Sequence, residues 1–288
     1  MTQKKLSALN AGTVNIGHFM VDRIGFGAMR ITGQGVWGPP ADIEAAEQIL
    51  QRVIELDINF IDAADAYGPN VSEQLIHDAL FPYEGLIIAT KGGMIRGGPG
   101  DWRPDCSPEH LKAACESSLQ RLGIDQITLY QLHAVDPVIP FTDSLQTLID
   151  LQSQGKIRYI GLSNVTLAQL KQALELTPIV SVQNHYNFEH RRDSEAIVDF
   201  CAEQGIAFIP YFPIGGGRSD YNVRVMQDIA EKHEASTRQI ALAWLLARSP
   251  CMLPIPGTSS IAHLEENIAS ATISLDSADV RALDSLSD

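Results

Sequence analysis

Short apolar runs alternate along the chain with longer segments in which apolar residues recur every three or four positions. Eight such runs lie within residues 23–257, namely RIGFGAM, INFIDA, LIIATK, ITLYQLH, IRYIGLS, IVSVQN, IAFIPYF and MLPIPG. They are apolar throughout rather than alternating, which is typical of strands buried on both faces of a parallel sheet. The segments between them have the helical period. Eight strand–helix units predict an α/β fold, a closed (β/α)8 TIM barrel, because an open doubly wound sheet usually has fewer strands.

Further elements are predicted between the strands and at the two ends of the chain. The helical segments are AAEQILQRVIEL, SEQLIHDAL, PEHLKAACESSLQRL, DSLQTLIDLQSQ, LAQLKQALEL, SEAIVDFCAEQ and one longer stretch over residues 223–248. TVNIGHFMV, with Gly17 at its turn, predicts an N-terminal β-hairpin, and residues 261–288 predict additional C-terminal helices. No linker or break in composition interrupts the chain. We therefore expect residues 1–288 to form a single domain.

Composition and charge narrow the class of protein. With 45% hydrophobic and 19% charged residues among 288, the chain has the composition of a soluble globular protein rather than a disordered or fibrous one. Its 21 basic and 35 acidic side chains give a formal charge of −14. A polyphosphate backbone would be repelled on average, so nucleic acid is not expected as a partner.

The cysteines and the apolar stretches indicate where the protein resides. Cys106, Cys115, Cys201 and Cys251 contain no C-x-x-C pair, which predicts neither a metal site nor a disulfide framework and fits reduced thiols in a cytoplasm. The N-terminus lacks the apolar region of a secretory signal. The longest apolar stretch, residues 240–247, is far shorter than the ~20 residues of a membrane span. We expect a cytoplasmic monomer that does not enter a membrane.

A glycine pattern after the first strand imitates a dinucleotide-binding motif. Gly33, Gly35 and Gly38 form the sequence G-x-G-x-x-G, which is weak evidence in isolation. In the nucleotide-binding version the glycines lead directly from a strand into a helix, whereas here Pro39 and Pro40 impose an extended backbone. We interpret the segment as an ordinary loop at the mouth of the barrel.

Polar residues occur where three consecutive strands are predicted to end. The second strand ends at Asp62, with Tyr67 shortly after it, the third at Lys91 and the fourth at His133. Barrel active sites lie at the carboxyl ends of the strands, so these groups are expected to share one mouth. A phenol needs a nearby cation to act as an acid or base near neutral pH, which Lys91 would supply while Asp62 orients the lysine. Each residue alone also fits a structural role, in a turn, in a loop or, for His133, in the core.

The ordered motifs resemble those of the aldo-keto reductases. NFIDAADAYGPNVSEQLIHDAL, IIATKGG, LYQLHAVD, GLSNV, VQNHYN and PGTSSIAHLEEN carry the resemblance, which extends from about residue 23 to residue 267. It implies a carbonyl reductase in which the nicotinamide delivers hydride and Tyr67 donates the proton. Lys91 and Asp62 would tune that tyrosine, and His133 would orient the carbonyl of a small-molecule substrate.

The same resemblance implies residues that bind the cofactor. Ser163, Asn164 and Gln183 match the residues that hold the nicotinamide carboxamide, and Tyr211 matches the aromatic that stacks on the ring. The run of Gly215, Gly216 and Gly217 with Arg218 resembles the loop across the pyrophosphate, where close backbone approach needs glycine.

The adenosine end departs from the usual pattern of that family. Thr258, Glu266 and Asn267 match hydroxyl and adenine contacts, but Gly257 and His263 stand where a lysine and an arginine are frequent. Thr258, Ser259 and Ser260 at a predicted helix start still offer donors to a 2′-phosphate. NADPH is therefore the expected cofactor, with NADH as the alternative.

The substrate is expected to meet the loops at the mouth. Trp37 and Trp102 would suit a flat ring, whereas Arg96 and Arg103 would either meet an anionic group or be solvated. Met94 and Phe212 are further candidates. The loop GQGVWGPP and the end of the chain resemble those of bacterial pyridoxal reductases, which implies reduction of pyridoxal to pyridoxine.

Three alternatives remain open at this point. One is a barrel aldolase in which Lys91 forms a Schiff base with its substrate. Another is a non-enzymatic subunit that senses the state of a nicotinamide cofactor, as some relatives of this fold do. The third keeps the reduction but acts on sugars or short ketones.

Overall fold

The computed structural model describes residues 5–217 and 223–286. The strands are β1 Thr13–Ile16, β2 Phe19–Asp22, β3 Phe26–Gly27, β4 Phe60–Asp62, β5 Ile87–Gly92, β6 Met94–Gly98, β7 Asp101–Pro104, β8 Ile127–Leu132, β9 Ile157–Ser163, β10 Ile179–Gln183 and β11 Ala207–Phe208. The helices are α1 Ile43–Glu55, α2 Val71–Leu80, α3 Pro108–Leu122, α4 Phe141–Ser153, α5 Leu167–Leu174, α6 Glu195–Gln204, α7 Arg224–Lys232, α8 Thr237–Arg248, α9 Ile261–Ala269 and α10 Ser277–Asp284.

Seven parallel strands form the central sheet, in the order β3, β4, β5, β8, β9, β10 and β11. The register aligns their carboxyl ends, because Gly27 pairs with Asp62, Lys91 with Gln131, and Ser163 with Gln183. Helices α1 to α6 connect consecutive strands of this sheet. The chain therefore folds as an α/β, (β/α)8-like barrel.

The eighth predicted strand, MLPIPG, is not a strand, and this part of the prediction was wrong. Pro254 and Pro256 lack the N–H that a continued ladder requires. The segment nevertheless lies between the two edges of the sheet. Leu253 N donates to Phe208 O at 2.8 Å, and Gly25 N donates to Pro254 O at 2.9 Å. These bonds link β11 to the chain before β3 and so close the barrel.

The predicted N-terminal hairpin is present and closes the amino end of the barrel. Strands β1 and β2 pair antiparallel, with Gly17 at φ 60° in the turn. A Cβ atom at Gly17 would lie 2.2 Å from the ring of Tyr159, so only glycine permits this approach. Ile16 and Val21 pack with Phe60 and other residues inside the barrel. The carboxyl end of the strands is therefore left as the open mouth.

Local signals account for where several helices begin. Ser107 accepts a hydrogen bond from the amide of His110 and precedes Pro108, the first residue of α3. Thr166 and Gln169 form a capping box at α5. The stretch predicted as one helix over residues 223–248 is two helices, α7 and α8, because Glu234 adopts φ 51° and Ser236 begins a new helix.

The sequence did not predict the antiparallel pair β6 and β7, which extends from the end of β5 over the mouth. The segment MIRGGPGDWRP contains four glycines or prolines in its middle and has no alternation of apolar and polar residues. The residues that the structure describes contain the predicted C-terminal helices as α9 and α10. Within the same residues, no helix has the length and apolar character needed to cross a membrane.

All four cysteines are buried free thiols. Burial raises the pKa of Cys106 and of Cys115 to about 12, and it also raises the pKa of Cys201 and Cys251. Because the thiolate is the reactive form, these side chains serve as apolar core groups.

Candidate active site

Lys91, at the carboxyl end of β5, is the centre of the polar cluster in the mouth. Its side chain is fully buried and its ammonium makes three hydrogen bonds. Nζ donates to Asp62 Oδ2 at 2.6 Å, to Ala63 O at 2.9 Å and to Tyr67 OH at 3.1 Å. An ammonium has three donors, so each of them has a partner. The groups predicted at the ends of the second and third strands are thus in direct contact.

The second oxygen of Asp62 accepts two amide donors. Gln131 Nε2 donates to Oδ1 at 3.1 Å and Gln183 Nε2 donates to it at 2.9 Å. A buried carboxylate is tolerable only when charges and hydrogen bonds compensate its lost hydration, and Asp62 has both. Gln131 was not predicted from the sequence. Its signal was a polar residue in the otherwise apolar run ITLYQLH, paired with Lys91 in the sheet.

Burial and charge act in opposite directions on Tyr67. Burial raises the pKa of the phenol, and Lys91 partly offsets that effect while Asp62 adds to it. The sequence predicts that the cation lowers the pKa of Tyr67, and Lys91 acts in that direction, but the effect of burial is larger. Burial by itself would lower the pKa of Lys91, yet Asp62 and Tyr67 raise it above its ordinary value. At neutral pH the site therefore holds a neutral phenol beside a charged ammonium.

His133 follows β8 directly and faces the same cluster. Its ring lies edge-on to Tyr67, with the centroids 5.9 Å apart. Burial, Lys91 and Arg96 hold its pKa well below the usual value, so the imidazole is neutral. Nδ1 is buried and has no hydrogen-bond partner among the described residues. His133 is therefore not a core histidine with all its hydrogen bonds made, which was the structural role considered from the sequence.

The residues predicted to hold a nicotinamide lie on the next strand ends. Ser163 ends β9, and Asn164 follows it at φ 57°. Asn164 Nδ2 donates to His133 O at 2.9 Å, and its Oδ1 accepts from Tyr211 OH at 2.8 Å. Gln183 ends β10 and directs its amide nitrogen to Asp62. These four residues are thus joined to the polar cluster through hydrogen bonds.

Tyr211 has an aromatic partner that the sequence did not reveal. The imidazole of His185 stacks on its ring, with centroids 5.2 Å apart and planes 7° apart. One face of the tyrosine is therefore covered by protein. Phe212 is partly exposed and lies edge-on to Tyr211.

The predicted pyrophosphate loop contacts the opposite side of the mouth. Gly215 and Gly216 both adopt positive φ, at 68° and 63°, which favours glycine. The guanidinium of Arg30, in the loop after β3, donates to Gly216 O. Arg218, the last residue of this prediction, lies outside the described residues. Arg30 was not recognised in the sequence, where it follows the first strand without any motif.

The structure explains the glycine at position 257. A Cβ atom there would lie 2.4 Å from the carbonyl oxygen of Gly27, so a lysine side chain has no room to begin. His263 is exposed in the first turn of α9. The lysine frequent in the family is thus sterically excluded, while the position of the frequent arginine is open to solvent.

The other residues predicted at the adenosine end lie before α9 and within it. Ser260 caps the helix by accepting from His263 N, and Thr258 Oγ1 accepts from Ser260 N at 3.1 Å. Ser259 between them is exposed. Glu266 accepts a hydrogen bond from Ser236, the N-cap residue of α8, and Asn267 is buried in α9. Thr258, Ser259 and Ser260 therefore lie at the start of the helix, whereas Glu266 and Asn267 lie in its second half.

Two tryptophans stand at the mouth as predicted. Trp102 on β7 lies edge-on to both Tyr67 and His133, at 6.3 and 6.2 Å between centroids. Trp37 forms a β-bridge with Gly68. The glycine pattern around Trp37 does not lead directly into a helix, because α1 begins only at Ile43. Met94 begins β6, and Arg103 is exposed and paired with Asp101 at 3.2 Å.

The model of the aldo/keto reductase family matches residues 23–288. The chain belongs to the aldo/keto reductase family. It is an oxidoreductase of that family, and the resemblance found in the sequence is confirmed. The barrel and the closing hairpin agree with this membership.

Three known proteins show the range of similarity within the family. The chain is 48% identical to the uncharacterized oxidoreductase C215.11c of Schizosaccharomyces pombe, over 94% of this chain and 89% of that protein. It is 41% identical to pyridoxine 4-dehydrogenase of Escherichia coli, over 97% of this chain and 99% of that protein. An aldo-keto reductase of Klebsiella pneumoniae, solved in complex with NADPH, superposes with a TM-score of 0.81 at 26% identity, covering 95% of this chain and 94% of that one.

Proposed function

We propose that the protein reduces the carbonyl group of a small molecule with NADPH and that Tyr67 supplies the proton. The contact of Lys91 with both Asp62 and Tyr67, at the open end of the barrel, carries this proposal. Bound NADPH would supply the hydride that reaches the carbonyl carbon. The protein's part is to position the carbonyl and to stabilise the charge that develops on its oxygen.

The proton transfer follows from the protonation states in the site. Tyr67 is neutral at neutral pH because burial raises its pKa, so it holds the proton that a carbonyl oxygen must receive. When the proton leaves, the phenolate remains 3.1 Å from the Lys91 ammonium. Asp62 keeps that ammonium in place. The neutral His133, edge-on to Tyr67, is suited to orient the carbonyl oxygen by a hydrogen bond rather than by charge.

The described residues fit a nicotinamide cofactor. Ser163, Asn164 and Gln183 place hydroxyl and amide groups at neighbouring strand ends, which suits a carboxamide. Tyr211 presents an aromatic ring whose hydroxyl is fixed by Asn164. Gly215 and Gly216 offer a backbone without side chains for a pyrophosphate, and the start of α9 offers donors to a phosphate. The NADPH complex of the Klebsiella relative supports the same cofactor.

Pyridoxal is the substrate that the relatives and the mouth support best. The relative named pyridoxine 4-dehydrogenase shares 41% identity over nearly the whole chain. Trp102 lies edge-on to Tyr67, and Trp37 lies near the Arg96 guanidinium that packs on Trp102, so two flat rings at the mouth would suit a pyridine ring. Reduction of the pyridoxal aldehyde gives the alcohol pyridoxine, with one hydride and one proton added.

The geometry argues against a Schiff-base aldolase. A Schiff base requires a neutral amine with a free lone pair. Lys91 has all three hydrogens engaged, and its pKa is raised above the ordinary value. Borohydride trapping of an adduct on Lys91 would instead support the aldolase.

The test is oxidation of NADPH with a panel of aldehydes that includes pyridoxal, a short ketone and a sugar. We expect turnover with pyridoxal and weaker turnover with NADH. Tyr67→Phe should lower the rate 10² to 10⁴-fold, roughly the contribution of a positioned general acid, while the dissociation constant for NADPH stays the same. Binding of NADPH without turnover of any carbonyl would support the nicotinamide-sensing subunit and contradict the proposal.

A further inference from the structure

The guanidinium of Arg96 on β6 has a hydrogen-bond partner for each of its five donors. All five partners are backbone carbonyl oxygens. Nε donates to Asp101 O at 2.7 Å, Nη1 to Val36 O and Ala66 O at 3.0 Å each, and Nη2 to Gly35 O at 3.1 Å and Gly98 O at 3.4 Å. Arginine has five N–H groups in a planar fork, so this set uses all of them.

The five carbonyls belong to three separate loops at the mouth. Gly35 and Val36 are in the loop after β3, and Ala66 directly precedes Tyr67 in the loop after β4. The remaining two carbonyls are in the β6–β7 pair itself. One side chain therefore ties the loop of the proton donor to the two loops that carry the tryptophans.

The same guanidinium packs on the tryptophans. Its central carbon lies 3.6 Å from the ring centroid of Trp102 and 5.8 Å from that of Trp37. Trp102 in turn contacts both Tyr67 and His133. A flat cation held by five bonds fixes the position of Trp102, and through it the wall of the pocket beside Tyr67.

Arg103, on the neighbouring strand, has the opposite environment. Its side chain is 60% exposed and pairs with the carboxylate of Asp101. Its charge is therefore in solvent, whereas the guanidinium of the half-buried Arg96 is bound to five carbonyl oxygens and lies against an indole ring. Neither of the roles considered from the sequence, an anion ligand or a solvated cation, describes Arg96.

We propose that Arg96 is a positioning residue that holds the loop of Tyr67 and the ring of Trp102 in register across the mouth, without contacting the substrate. This inference rests on the proposed reductase function, because its catalytic consequence is the placement of Tyr67 against the carbonyl. Lysine cannot replace it. A lysine has three donors on one point and no planar face for Trp102.

The test compares Arg96→Lys and Arg96→Met with the matched control Arg103→Met, using benzaldehyde and 4-carboxybenzaldehyde as substrates that differ by one carboxylate. We expect kcat to fall on the order of 10 to 100-fold for both aldehydes in both Arg96 variants, since a small misplacement of reacting groups has such an effect. KM should change little, because no binding contact is lost. Arg103→Met should retain the wild-type constants.

Three results would overturn the inference. A rise in KM for 4-carboxybenzaldehyde alone, restored by Arg96→Lys, would make Arg96 an anion ligand. Wild-type kcat in Arg96→Met would show that the bonds do not position the site. An equal fall in kcat for Arg103→Met would show that the effect comes from a general loss of positive charge and not from the bonds of Arg96.

Acrylamide quenching of tryptophan fluorescence tests the loop contacts without any turnover. Trp244 is fully buried, so a change in quenching reports Trp37 and Trp102. We expect greater quenching in Arg96→Met and in Arg96→Lys than in the wild type and Arg103→Met. If the wild type reduces no aldehyde, the proposed function fails, and this measurement still decides the positioning of the loops. Unchanged quenching in both Arg96 variants would refute it.

Discussion

Replacing Lys91 by methionine tests the charge coupling on which the proposed chemistry depends. In the wild type the ammonium lies 3.1 Å from the Tyr67 oxygen. At an effective dielectric constant of about 20, two unit charges at that distance interact by about 5 kcal/mol, equivalent to roughly 10⁴ in the ionisation constant of the phenol. Lys91→Met removes that attraction and leaves Asp62, which opposes the phenolate. The pKa of Tyr67 should therefore rise.

The two directions of the reaction should respond differently. Oxidation of an alcohol needs the phenolate, so near neutral pH it should fall by up to about 10⁴-fold. It should then recover about tenfold for each unit by which pH is raised, because the phenolate fraction grows at that rate below the pKa. Reduction needs the neutral phenol and should fall less, by about 10²-fold, because a phenol of higher pKa is a weaker acid. NADPH binding should be unchanged.

The assay is the pH profile of NADP⁺-dependent oxidation of pyridoxine, or of the best alcohol found, for the wild type and Lys91→Met. Loss of one member of a buried ion pair costs about 3 to 5 kcal/mol of folding stability, so each variant is assayed well below its melting temperature. The double variant Asp62→Asn, Lys91→Met removes both charges and should regain stability but not activity. A residual rate that does not change from neutral to alkaline pH would refute the coupling between Lys91 and Tyr67.

Two further predictions concern stability. Burial raises the pKa of Asp65 to about 8, and its Oδ1 has no partner among the described residues, so the folded protein keeps a proton that the unfolded chain has released. Stability should therefore fall by roughly 1.4 kcal/mol per unit as pH rises from about 5 to about 7, and the slope should fade as pH passes through about 8; Asp65→Asn should remove it in melting temperatures measured across this range. An equal slope in the variant would show that another group is responsible. Gly257→Ala places Cβ 2.4 Å from Gly27 O and should cost about 1 to 3 kcal/mol and weaken NADPH binding, as measured by denaturant unfolding and fluorescence titration. Gly98→Ala, where nothing lies within 4 Å of the new Cβ and φ is not positive, is the control, and equal losses in both variants would contradict the steric argument.

Strands and helices were predictable where one physical signal dominated. The runs from RIGFGAM to IAFIPYF became strands because continuous apolar residues suit a sheet covered on both faces. MLPIPG is similarly apolar, but Pro254 and Pro256 have no N–H to donate to a neighbouring strand. Hydrophobicity alone therefore gave a wrong prediction here. The β6–β7 pair was not predictable, because Arg96 fastens it to backbone carbonyls of two loops that are distant in sequence.

The candidate site was predictable as far as it depends on strand ends. Asp62 and Lys91 lie at the carboxyl ends of buried strands and His133 directly follows one, and the parallel register of neighbouring strands brings them to one edge. Gln131 and His185 were missed because each acts through a partner that is distant in sequence, Asp62 in one case and Tyr211 in the other. The direction of the pKa shift of Tyr67 was also not predictable, since the pKa of a phenol depends on how completely the fold excludes water.

A protein that turns over aldehydes is exposed to electrophiles, which alkylate thiolates. Its four cysteines are withdrawn from that chemistry, because each is buried and burial raises the pKa of each thiol. The fully buried amine nearest the reaction, Lys91, has its three hydrogens bound to oxygen atoms. We therefore expect the four thiols and Lys91 to resist modification by aldehydes in the folded protein, and to become susceptible only once it unfolds.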